Sequence, residues 1–572
     1  MVRIGYGIAD FRVMVRENLY YIDRTTFLPV LEDEMAHYNI FLRPRRFGKS
    51  LWISVLQYYY GLEYKDQLEE LFGQFYAGKN PTKRANTYLI LRFNFSGIST
   101  EDDAKMKTSF LKEIQKGVSL FTKSYPQYFE ENFKAQIYQQ TEAHDLIRMF
   151  FEKLTNADHA VYLLIDEYDH FTNELISLRL SSFKEVVTQN GWVRKFYEAL
   201  KNAAGEGIIG KMFITGVSPI TVDSLTSGFN ISVNQSNDLK LHNLMGFTRD
   251  EVEVLMQNIG ISGEKLPQTM EVLKAWYNGY SFNPKAKEQI YNSDMVLYFA
   301  YKYKLYDTFP DEMLDVNIAS DYSKIRKVFQ IGAAETDRWE YIDKLMRDEP
   351  VEITLTNSYS FERGFSTHDL LSLLYYMGFL TIKKGSFFNM IEVMMPNRVI
   401  TDLYRDYFLR IMDERAGYEH DTAELQAALA ILVRSNNPRP ILDILCQTLK
   451  DLSNRDFRKM DEKHVQAMFF CYVNLIQVYD TKSEYEAERQ FYDIMMLRNG
   501  LADERVEHEF LFEFKYAKTA TEQRLGKIDA EATAQVERYL QHKQIKKHPN
   551  LHAWRIVIVG YTLEICEPID IL

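Results

Sequence analysis

Four short apolar runs, each followed by a longer amphipathic stretch, constrain the fold of this chain more than any other feature. They lie within residues 20–230 and read HYNIFL before Arg43, TYLILRFNF over 87–95, AVYLLI over 160–165 and KMFITGV over 211–217. Short runs rich in β-branched and aromatic residues are typical of buried strands, and the stretches that separate them are typical of helices. The alternation predicts an α/β architecture with a parallel sheet covered by helices on both faces.

The composition excludes several classes of protein. The chain has 572 residues, a formal net charge of −12 and three cysteines, Cys446, Cys471 and Cys566. So few and such widely spaced cysteines predict a reducing, cytoplasmic environment, and without a run of ~20 apolar residues no membrane span is expected. Because phosphate contacts need clustered Lys and Arg, nucleic acid would have to bind a local patch. Residues 543–555 offer one, with a solvated helix end as the alternative.

The strongest chemical signal is a loop that ends in Gly-Lys-Ser, between the apolar run NIFL and the helical stretch LWISVLQYYY. Its predicted nucleotide-binding residues are Arg43, Pro44, Arg45, Arg46, Phe47, Gly48, Lys49, Ser50 and Leu51. Such a strand–loop–helix holds phosphate oxygens with backbone N–H groups and a helix N-terminus. Lys49 is expected to reach the β- and γ-phosphates, and the Ser50 hydroxyl to coordinate Mg²⁺. Arg43 replaces the usual first glycine, so a chance Gly-Lys-Ser loop is the alternative.

An acidic strand end supports the loop. The run AVYLLIDEYDH ends in Asp166 and Glu167, which fits an Asp that holds Mg²⁺ followed by a Glu that polarises the attacking water of an ATPase. The run KMFITGV places Thr215 at the end of another strand, where it is expected to sense the γ-phosphate. A solvated acidic end and a strand cap are the respective alternatives, but all three features in this order predict a site for ATP and Mg²⁺.

Seven strings between residues 18 and 299 resemble the AAA-ATPase-like family that occurs with a C-terminal PD-(D/E)XK nuclease domain. They are NLYYIDRTTFLPVLED, FLRPRRFGKSL, LLIDEYDH, FITGVSPI, LMGFTRDEV, WYNGYSF and IYNSDMVLYF. In that family the phosphate loop typically reads RPRRFGKS, so Arg43 is a family feature. The resemblance implies a P-loop fold with a helical lid and a winged-helix-like segment, and it places Arg45 and Arg46 near the phosphates.

A second predicted centre lies in the segment LFEFKYAK at 511–518. In a strand, Glu513 and Lys515 point to one face, while Phe512 and Phe514 pack on the other. Asp493, on the preceding strand, completes the pattern of a PD-(D/E)XK site. Asp493 and Glu513 are expected to hold Mg²⁺ through oxygen ligands, and Lys515 to position or deprotonate the attacking water. An exposed strand that happens to carry Glu-x-Lys is the alternative.

Three further residues complete this prediction. Glu462, in the preceding helix, is a further candidate metal ligand, and Gln535 with Tyr539 lie on one face of the following helix, where the family often carries Gln and Tyr. Relatives usually have Gly-Arg shortly before the metal-binding Asp, whereas this chain has RQFYD at 489–493. That departure makes a non-cutting, binding-only domain the main competing interpretation.

The same patterns predict the organisation of the chain. The expected domains are an ATPase core at 1–235, a helical lid at 236–340, a winged-helix-like module at 341–400, a helical connector at 401–455 and a small α/β nuclease-like domain at 456–572. The string KKGSFF predicts a hairpin around Lys384 and Gly385. In the last domain we expect helices at 461–478 and 522–543, strands at 491–497 and 508–515, and a final strand in WRIVIVGYTL.

The sequence is compatible with three functions. The first is an ATP-binding, ATP-hydrolysing protein that controls a Mg²⁺-dependent nuclease. The second is a nucleotide-switched module that binds nucleic acid or protein through an inactive nuclease fold, and the third is a structural chain with inert motifs. The expected partners are ATP and DNA or RNA, with no membrane, and self-association is left open.

Overall fold

The fold comes from a computed structural model that describes most of the chain. It describes residues 2–170, 191–219, 230–310, 312–315, 341, 344–346, 349–357, 359, 365–385, 390–405, 407, 422–452, 461–487, 490–502, 504–542 and 545–569. The chain divides into an N-terminal unit, Met1–Leu266 with Tyr277–Asp337 and Glu352–Pro396, and a C-terminal unit, Pro267–Trp276 with Arg338–Val351 and Asn397–Leu572. Among the described residues, no helix is both long and apolar enough to span a bilayer.

The predicted parallel sheet forms the centre of the N-terminal unit. Its strands are β1 (Tyr38–Leu42), β2 (Leu89–Asn94), β3 (Val161–Asp166), β4 (Ile209–Gly216) and β5 (Val233–Asn234). Their order is β5-β1-β4-β3-β2, and every pairing is parallel. Strand β3 is buried along its whole length, as expected for a parallel sheet covered on both faces.

This strand order positions the candidate site. Strand β4 lies between β1 and β3, so the ends of these three strands meet at one edge of the sheet. In the register, Leu42 pairs with Gly216 and Ile165 pairs with Ile214. Loops that follow the carboxyl ends of parallel strands therefore converge there, which is where open α/β sheets bind ligands.

Helices cover this sheet and continue beyond it. They are α1 (Phe11–Arg16), α2 (Leu28–Asp33), α3 (Lys49–Tyr60), α4 (Leu68–Phe72), α5 (Tyr76–Lys79), α6 (Asp103–Ser124), α7 (Phe133–Gln139), α8 (Ala143–Glu152), α9 (Trp192–Gly205), α10 (Arg249–Asn258) and α12 (Ser293–Tyr306). Helix α11 (Lys265–Tyr277) belongs almost entirely to the C-terminal unit. Short 3-10 turns lie at Thr25–Phe27, Leu62–Gln67, Pro126–Tyr128 and Leu239–Leu241. Side chains cap several of these helices; for example, Thr248 and Glu251 form a reciprocal capping box at α10. Aromatic rings from α3 and β3, including Tyr60 and Tyr162, share one buried cluster.

A small mixed module completes the N-terminal unit. It contains β6 (Val351–Thr354), α13 (Thr367–Tyr376), β7 (Thr381–Gly385) and β8 (Met390–Met394), with sheet order β6-β8-β7. Strands β7 and β8 are antiparallel, which confirms the hairpin predicted around Lys384 and Gly385. The connecting residues 386–389 lie outside the described residues.

The C-terminal unit is a five-stranded sheet with helices. Its elements are α14 (Thr422–Ser435), α15 (Arg439–Asp451), α16 (Glu462–Val473), β9 (Tyr479–Ala487), β10 (Gln490–Arg498), β11 (Glu509–Ala517), α17 (Glu522–Leu540), β12 (Leu551–Val559) and β13 (Thr562–Ile569), with a 3-10 turn at Ile545–Lys547. The order is β9-β10-β11-β12-β13, in which only β11 and β12 run parallel. The long connection through α17 is what a parallel pair requires.

Two predictions for this unit are corrected. The helix expected at 461–478 ends at Val473, and strand β9 begins at Tyr479. The final strand expected in WRIVIVGYTL is two antiparallel strands, because Gly560, with φ of 64°, turns the chain between β12 and β13. Sequence periodicity does not reveal such a turn, since apolar residues continue on both sides of it.

Candidate functional site

The Gly-Lys-Ser loop of the N-terminal unit joins β1 to α3, as the sequence predicts. Two of its residues take left-handed backbone angles: Arg46 has φ of 68° and Gly48 has φ of 88°. Helix α3 starts at Lys49, with Gly48 as its N-cap. The free N–H groups of this first turn, together with the helix dipole, favour an anion at this end of the helix.

The Lys49 side chain is folded over its own loop. It is 7% exposed, and its Nζ donates to the carbonyl oxygens of Arg43 at 3.0 Å and Pro44 at 2.8 Å. Burial lowers the pKa of Lys49 to about 8, against the opposing charges of Glu167, Asp166 and Asp169. The main chain therefore holds this ammonium at the position where a phosphate ligand is predicted.

A cavity of about 400 Å³ opens beside this loop. Its wall comes from residues within 5–9, 20–24, 244–247 and 293–297, together with Met14, Arg45, Arg46, Phe47, Gly48, Lys49, Ser50, Leu51, Trp52, Glu167 and His170. A volume of this order is typical of small-molecule and cofactor sites. Of the predicted nucleotide-binding residues, those from Arg45 to Leu51 line the cavity, whereas Arg43, Pro44, Asp166 and Thr215 are not part of the described wall.

Arg43 has a different position from the one expected of a ligand-binding side chain. Its guanidinium is 1% exposed and lies between the rings of Phe41, at 4.2 Å, and Phe282, at 4.0 Å. It donates to the carbonyl oxygens of Leu42, Ser236, Leu241 and His242. Burial lowers the pKa of Arg43 to about 9. In this structure Arg43 braces the base of the loop against the segment that follows β5.

Asp166, at the end of β3, is the residue best suited to a cation. Its carboxylate is fully buried, and neither oxygen accepts a hydrogen bond of ordinary geometry within the described residues. Burial raises the pKa of this carboxyl, and the neighbouring Ser50 hydroxyl works in the opposite direction. Buried acceptor oxygens without partners are costly unless an ion or its water completes them. The pair Ser50 and Asp166 therefore fits one Mg²⁺, an ion that prefers oxygen ligands.

Glu167 faces the cavity from an unusual backbone position. Its φ is 53°, and its carboxylate lies 3.4 Å from Nδ1 of His170. The hydrogen bond to His170 lowers the pKa of Glu167 despite burial, and the charges of Lys49 and Arg45 act in the same direction. Glu167 is thus an ionised carboxylate in the cavity wall.

Thr215 lies next to the end of β3, as expected, but its hydroxyl has another use. It is fully buried and donates to the carbonyl oxygen of Phe41, its register partner on β1, at 2.8 Å. The hydroxyl thus ties β4 to β1 below the loop. Its predicted contact with a γ-phosphate stays a prediction.

The C-terminal unit brings its predicted residues together at the point where β10 and β11 part. Their register ends with Ile494 opposite Phe512. One residue further, the Asp493 carboxylate accepts the N–H of Phe514 at 2.8 Å, in place of a strand partner. Glu513 is fully buried, and Lys515 donates to its Oε1 at 2.8 Å. Burial raises the pKa of Glu513, and the charge of Asp493 adds to this effect.

Glu462 approaches the same cluster from α16. One carboxylate oxygen accepts the N–H of Tyr516 at 3.0 Å, and the other lies 3.6 Å from Nζ of Lys515. Gln535 donates to the Tyr539 hydroxyl on α17, and burial followed by the charge of Glu513 raises the pKa of that hydroxyl. In this structure Glu462 holds the backbone after Lys515, so its predicted role as a metal ligand stays a prediction.

The donor set of this cluster fits one divalent ion. Oε2 of Glu513 is buried without a hydrogen-bond partner of ordinary geometry, and the Asp493 carboxylate belongs to the same cluster. Within the described residues no three His, Cys, Asp or Glu side chains converge on one metal position. The fit therefore rests on the two carboxylates, as the PD-(D/E)XK pattern expects, with the remaining positions open to water and substrate oxygens.

Comparison with known proteins identifies both regions. Residues 5–226 match the AAA-ATPase-like family, described as a predicted AAA-ATPase, and residues 460–568 match the PD-(D/E)XK nuclease superfamily. The chain carries an AAA-ATPase-like domain and a PD-(D/E)XK nuclease superfamily domain. These matches confirm the resemblance drawn from the seven strings and the overall α/β fold class.

Two individual proteins resemble parts of the chain. An uncharacterized protein encoded in the vnfD 5′ region of Azotobacter chroococcum mcd 1 is 27% identical over 317 residues, which is 52% of each chain. The chain thus spans about half the length of the curated relative it matches. The solved structure of the Aeropyrum pernix ORC1 protein in complex with DNA covers 71% of this chain and 94% of its own, at 10% identity and a TM-score of 0.26. That score is too low to support an argument.

Sequence reasoning missed two polar residues in the AAA-ATPase-like domain. Asp294, in the first turn of α12, lies 3.5 Å from the guanidinium of Arg46, and the N–H of Asp294 donates to the Arg46 carbonyl at 3.3 Å. Asp169 is buried at the end of β4, where it accepts backbone N–H groups. Both lie inside strings already recognised, NSDMV and DEYDH, but nothing in their spacing distinguishes them from solvated acids.

Proposed function

We propose that the chain is a nucleotide-controlled nuclease: it binds and hydrolyses ATP at the cavity of the AAA-ATPase-like domain and cleaves phosphodiester bonds of DNA or RNA at the Asp493–Glu513–Lys515 cluster. The observation that carries this proposal is the state of two buried carboxylates. Asp166 and Glu513 each have a buried oxygen without a hydrogen-bond partner of ordinary geometry, one in each family-matched domain.

In the proposed ATPase, each residue has a role that follows from its position. The N–H groups of the loop and the Lys49 ammonium bind the phosphates, because they are the donors at the start of α3. Ser50 and Asp166 hold Mg²⁺. Glu167 lines the cavity as an ionised carboxylate and accepts a proton from the attacking water, the role of a catalytic glutamate.

In the proposed nuclease, Asp493 and Glu513 hold Mg²⁺ from two diverging strands. Lys515 orients the attacking water and stabilises negative charge on the phosphodiester, since its ammonium is held between Glu513 and Glu462. Tyr539 and Gln535 on α17 keep Glu513 in place. Bound Mg²⁺ supplies charge neutralisation at the triphosphate and Lewis-acid activation at the phosphodiester.

One observation favours a second function, a nucleotide-switched binding module without cleavage. Lys515 neutralises Glu513 directly, and within the described residues the cluster lacks a third converging metal-type side chain. Together with the absent Gly-Arg before Asp493, this arrangement suits a domain that retains the fold and binds nucleic acid or protein without cutting it. Arg489 lies outside the described residues.

The test is cleavage of plasmid, single-stranded DNA and RNA with Mg²⁺, comparing the wild type with Glu513→Gln and Glu509→Gln. Glu509 is the matched control, because it is 7% exposed on the same strand β11 and pairs with His548. We expect Glu513→Gln to lose cleavage and Glu509→Gln to keep it. Cleavage that survives in Glu513→Gln contradicts the assignment, and a wild type that cuts none of the substrates supports the binding module.

Control by nucleotide is tested in the same assay with and without ATP, using Lys49→Met. The matched control is Lys211→Met, since Lys211 is also buried, donates to the Leu31 carbonyl and has a pKa lowered to about 8 by burial. We expect ATP to change the cleavage rate of the wild type and of Lys211→Met, and to have no effect on Lys49→Met. An equal response of all three chains would disprove control through the loop.

A further inference from the structure

Glu167 occupies a backbone conformation that needs support. Its left-handed φ of 53° is unfavourable for a residue with a side chain and persists where the surrounding structure over-determines it. The turn is closed by the N–H of His170, which donates to the Glu167 carbonyl at 3.1 Å. It directs the next two residues, Tyr168 and Asp169, towards the end of the neighbouring strand β4.

Four residues tie the ends of β3 and β4 together, and we call them the strand-end latch: Tyr168, Asp169, Val217 and Ser218. The Asp169 carboxylate is 1% exposed. It accepts the N–H of Val217 at 3.0 and 3.1 Å, the N–H of Ser218 at 2.6 Å and the Ser218 hydroxyl at 3.2 Å. The Tyr168 hydroxyl donates to the Ser218 carbonyl. Hydrogen bonds to an ionised carboxylate are among the strongest in proteins.

The strand-end latch requires a glycine at position 216. A Cβ at position 216 would lie 2.2 Å from Oδ1 of Asp169 and 2.5 Å from Cδ1 of Tyr168. Any side chain there would push the two residues away from β4. Gly216 in FITGVS and Asp169 in DEYDH therefore depend on each other, although they lie far apart in the sequence.

We propose that Asp169 is a positioning residue for ATP hydrolysis, which holds Glu167 in its left-handed turn and so fixes the Glu167 carboxylate in the cavity wall. Asp169 is not part of the described wall of the cavity, whereas Glu167 is, so Asp169 acts through Glu167. Misplacing a catalytic group by about 1 Å costs up to about 100-fold in rate. This role rests on the proposed ATPase function.

The experiment measures kcat and KM for ATP hydrolysis by the full-length chain with Mg²⁺. The variants are Asp169→Asn, Gly216→Ala, Tyr168→Phe and, as matched control, Asp369→Asn. Asp369 is also buried, with 2% exposed, and accepts an N–H, that of Ser366 at 2.9 Å, but it caps α13 and is not part of the described cavity wall. A second pair, Glu167→Gln and Glu167→Gln/Asp169→Asn, tests whether the effect passes through Glu167.

We expect Asp169→Asn and Gly216→Ala to lower kcat by about 10- to 100-fold with KM within about twofold, and Asp369→Asn to keep kcat within about twofold. In the Glu167→Gln background, Asp169→Asn should cause no further loss. Tyr168→Phe, which removes one hydroxyl, gives a smaller loss and decides the question if Asp169→Asn does not fold.

Three results overturn the inference. They are an Asp169→Asn kcat above half that of the wild type, an equal loss in Asp369→Asn, and independent losses from Asp169→Asn and Glu167→Gln. A wild type without ATP turnover is a different failure, because it removes the proposed ATPase function and the positioning role with it.

Discussion

In the AAA-ATPase-like domain the central lysine, Lys49, donates to two carbonyl oxygens of its own loop. In the nuclease superfamily domain the central lysine, Lys515, lies between the carboxylates of Glu513 and Glu462. Because backbone carbonyl oxygens accept the hydrogen bonds of Lys49, the two buried oxygens of Asp166 stay without hydrogen bonds of ordinary geometry. Carboxylate side chains pair with Lys515, and one oxygen of Glu513 accepts its hydrogen bond.

The two centres are stabilised by different groups. A site built on backbone groups is rigid as long as its loop and the side chains that brace it are intact. Its carboxylates do not pair with the lysine and so keep oxygens available for a ligand. In a site built on opposite side-chain charges, the lysine and the carboxylates neutralise each other. The stability of each charged group therefore depends on the ionisation of the others. The first type tolerates few substitutions of glycine and buried braces, whereas the second tolerates backbone changes but few changes of charge.

The first prediction concerns the stability that Arg43 gives to the base of the Gly-Lys-Ser loop. Arg43→Ala removes a buried guanidinium that donates to four carbonyl oxygens and stacks on two rings, and we expect it to lower the free energy of unfolding by about 3–5 kcal/mol. Arg555→Ala is the matched change in the other domain, where the partners are the Asp529 and Glu567 side chains. We expect it to cost about 1 kcal/mol. Denaturant unfolding of each variant makes the measurement, and equal losses would contradict the comparison.

The second prediction concerns Asp166 and Asp493, the carboxylates that we propose as metal ligands. Asp166→Asn and Asp493→Asn should each reduce turnover at their own centre by at least about 100-fold, measured as ATP hydrolysis and nucleic-acid cleavage. Their effects on stability should differ in sign. Asp166→Asn removes a buried charge whose oxygens lack hydrogen bonds of ordinary geometry and gains about 1 kcal/mol, whereas Asp493→Asn weakens the bond from Phe514 and loses about 1 kcal/mol. Scanning calorimetry in EDTA tests this, and shifts of the same sign would count against it.

The third prediction compares two glycines. Gly246, in the cavity wall, has φ of 84°, and a Cβ there would lie 2.4 Å from Cγ2 of Ile290. Gly246→Ala should cost about 2 kcal/mol of stability and weaken ATP binding. Gly526, in helix α17, has open space around its Cα, so Gly526→Ala should gain about 0.5–1 kcal/mol. Thermal unfolding measures the stability of both variants, and nucleotide titration measures their ATP binding. A Gly246→Ala variant more stable than the wild type would contradict the steric role of this glycine.

The smallest expected effect depends on pH. Burial, followed by the charge of Arg43, lowers the pKa of His242 to about 4, while an unfolded histidine titrates near about 6.5. Acid therefore protonates the unfolded chain first, so this stabilisation is complete above pH ~6.5 and falls as the pH drops towards 4, by about 1–2 kcal/mol. The free energy of unfolding should therefore change less with pH across that range in His242→Gln than in the wild type. The introduced glutamine can still donate a hydrogen bond to the Glu288 carbonyl. An unchanged slope would rule out His242 as the source.

Much of the first domain could be predicted because its motifs are continuous strings. The apolar runs around residues 40, 90, 163 and 213 each become a parallel strand, and the Gly-Lys-Ser loop lies between strand and helix as expected. Local patterns suffice there, since a buried parallel strand is apolar along its whole length. The Glu-x-Lys strand was equally visible, because alternation places Glu513 and Lys515 on one face.

Other features depended on contacts between distant residues. The guanidinium of Arg43 reaches the carbonyl oxygen of Leu241 rather than the cavity, Thr215 bonds to Phe41, and Asp169 requires a glycine at 216. The turn at Gly560 divided a run that reads as one strand. Residue patterns alone predicted which segments form strands and which residues are candidates for the chemistry, because both depend on local periodicity and residue type. Which polar groups face a cavity and which brace the fold depends on tertiary packing, because a buried donor takes the acceptor that packing places nearest to it.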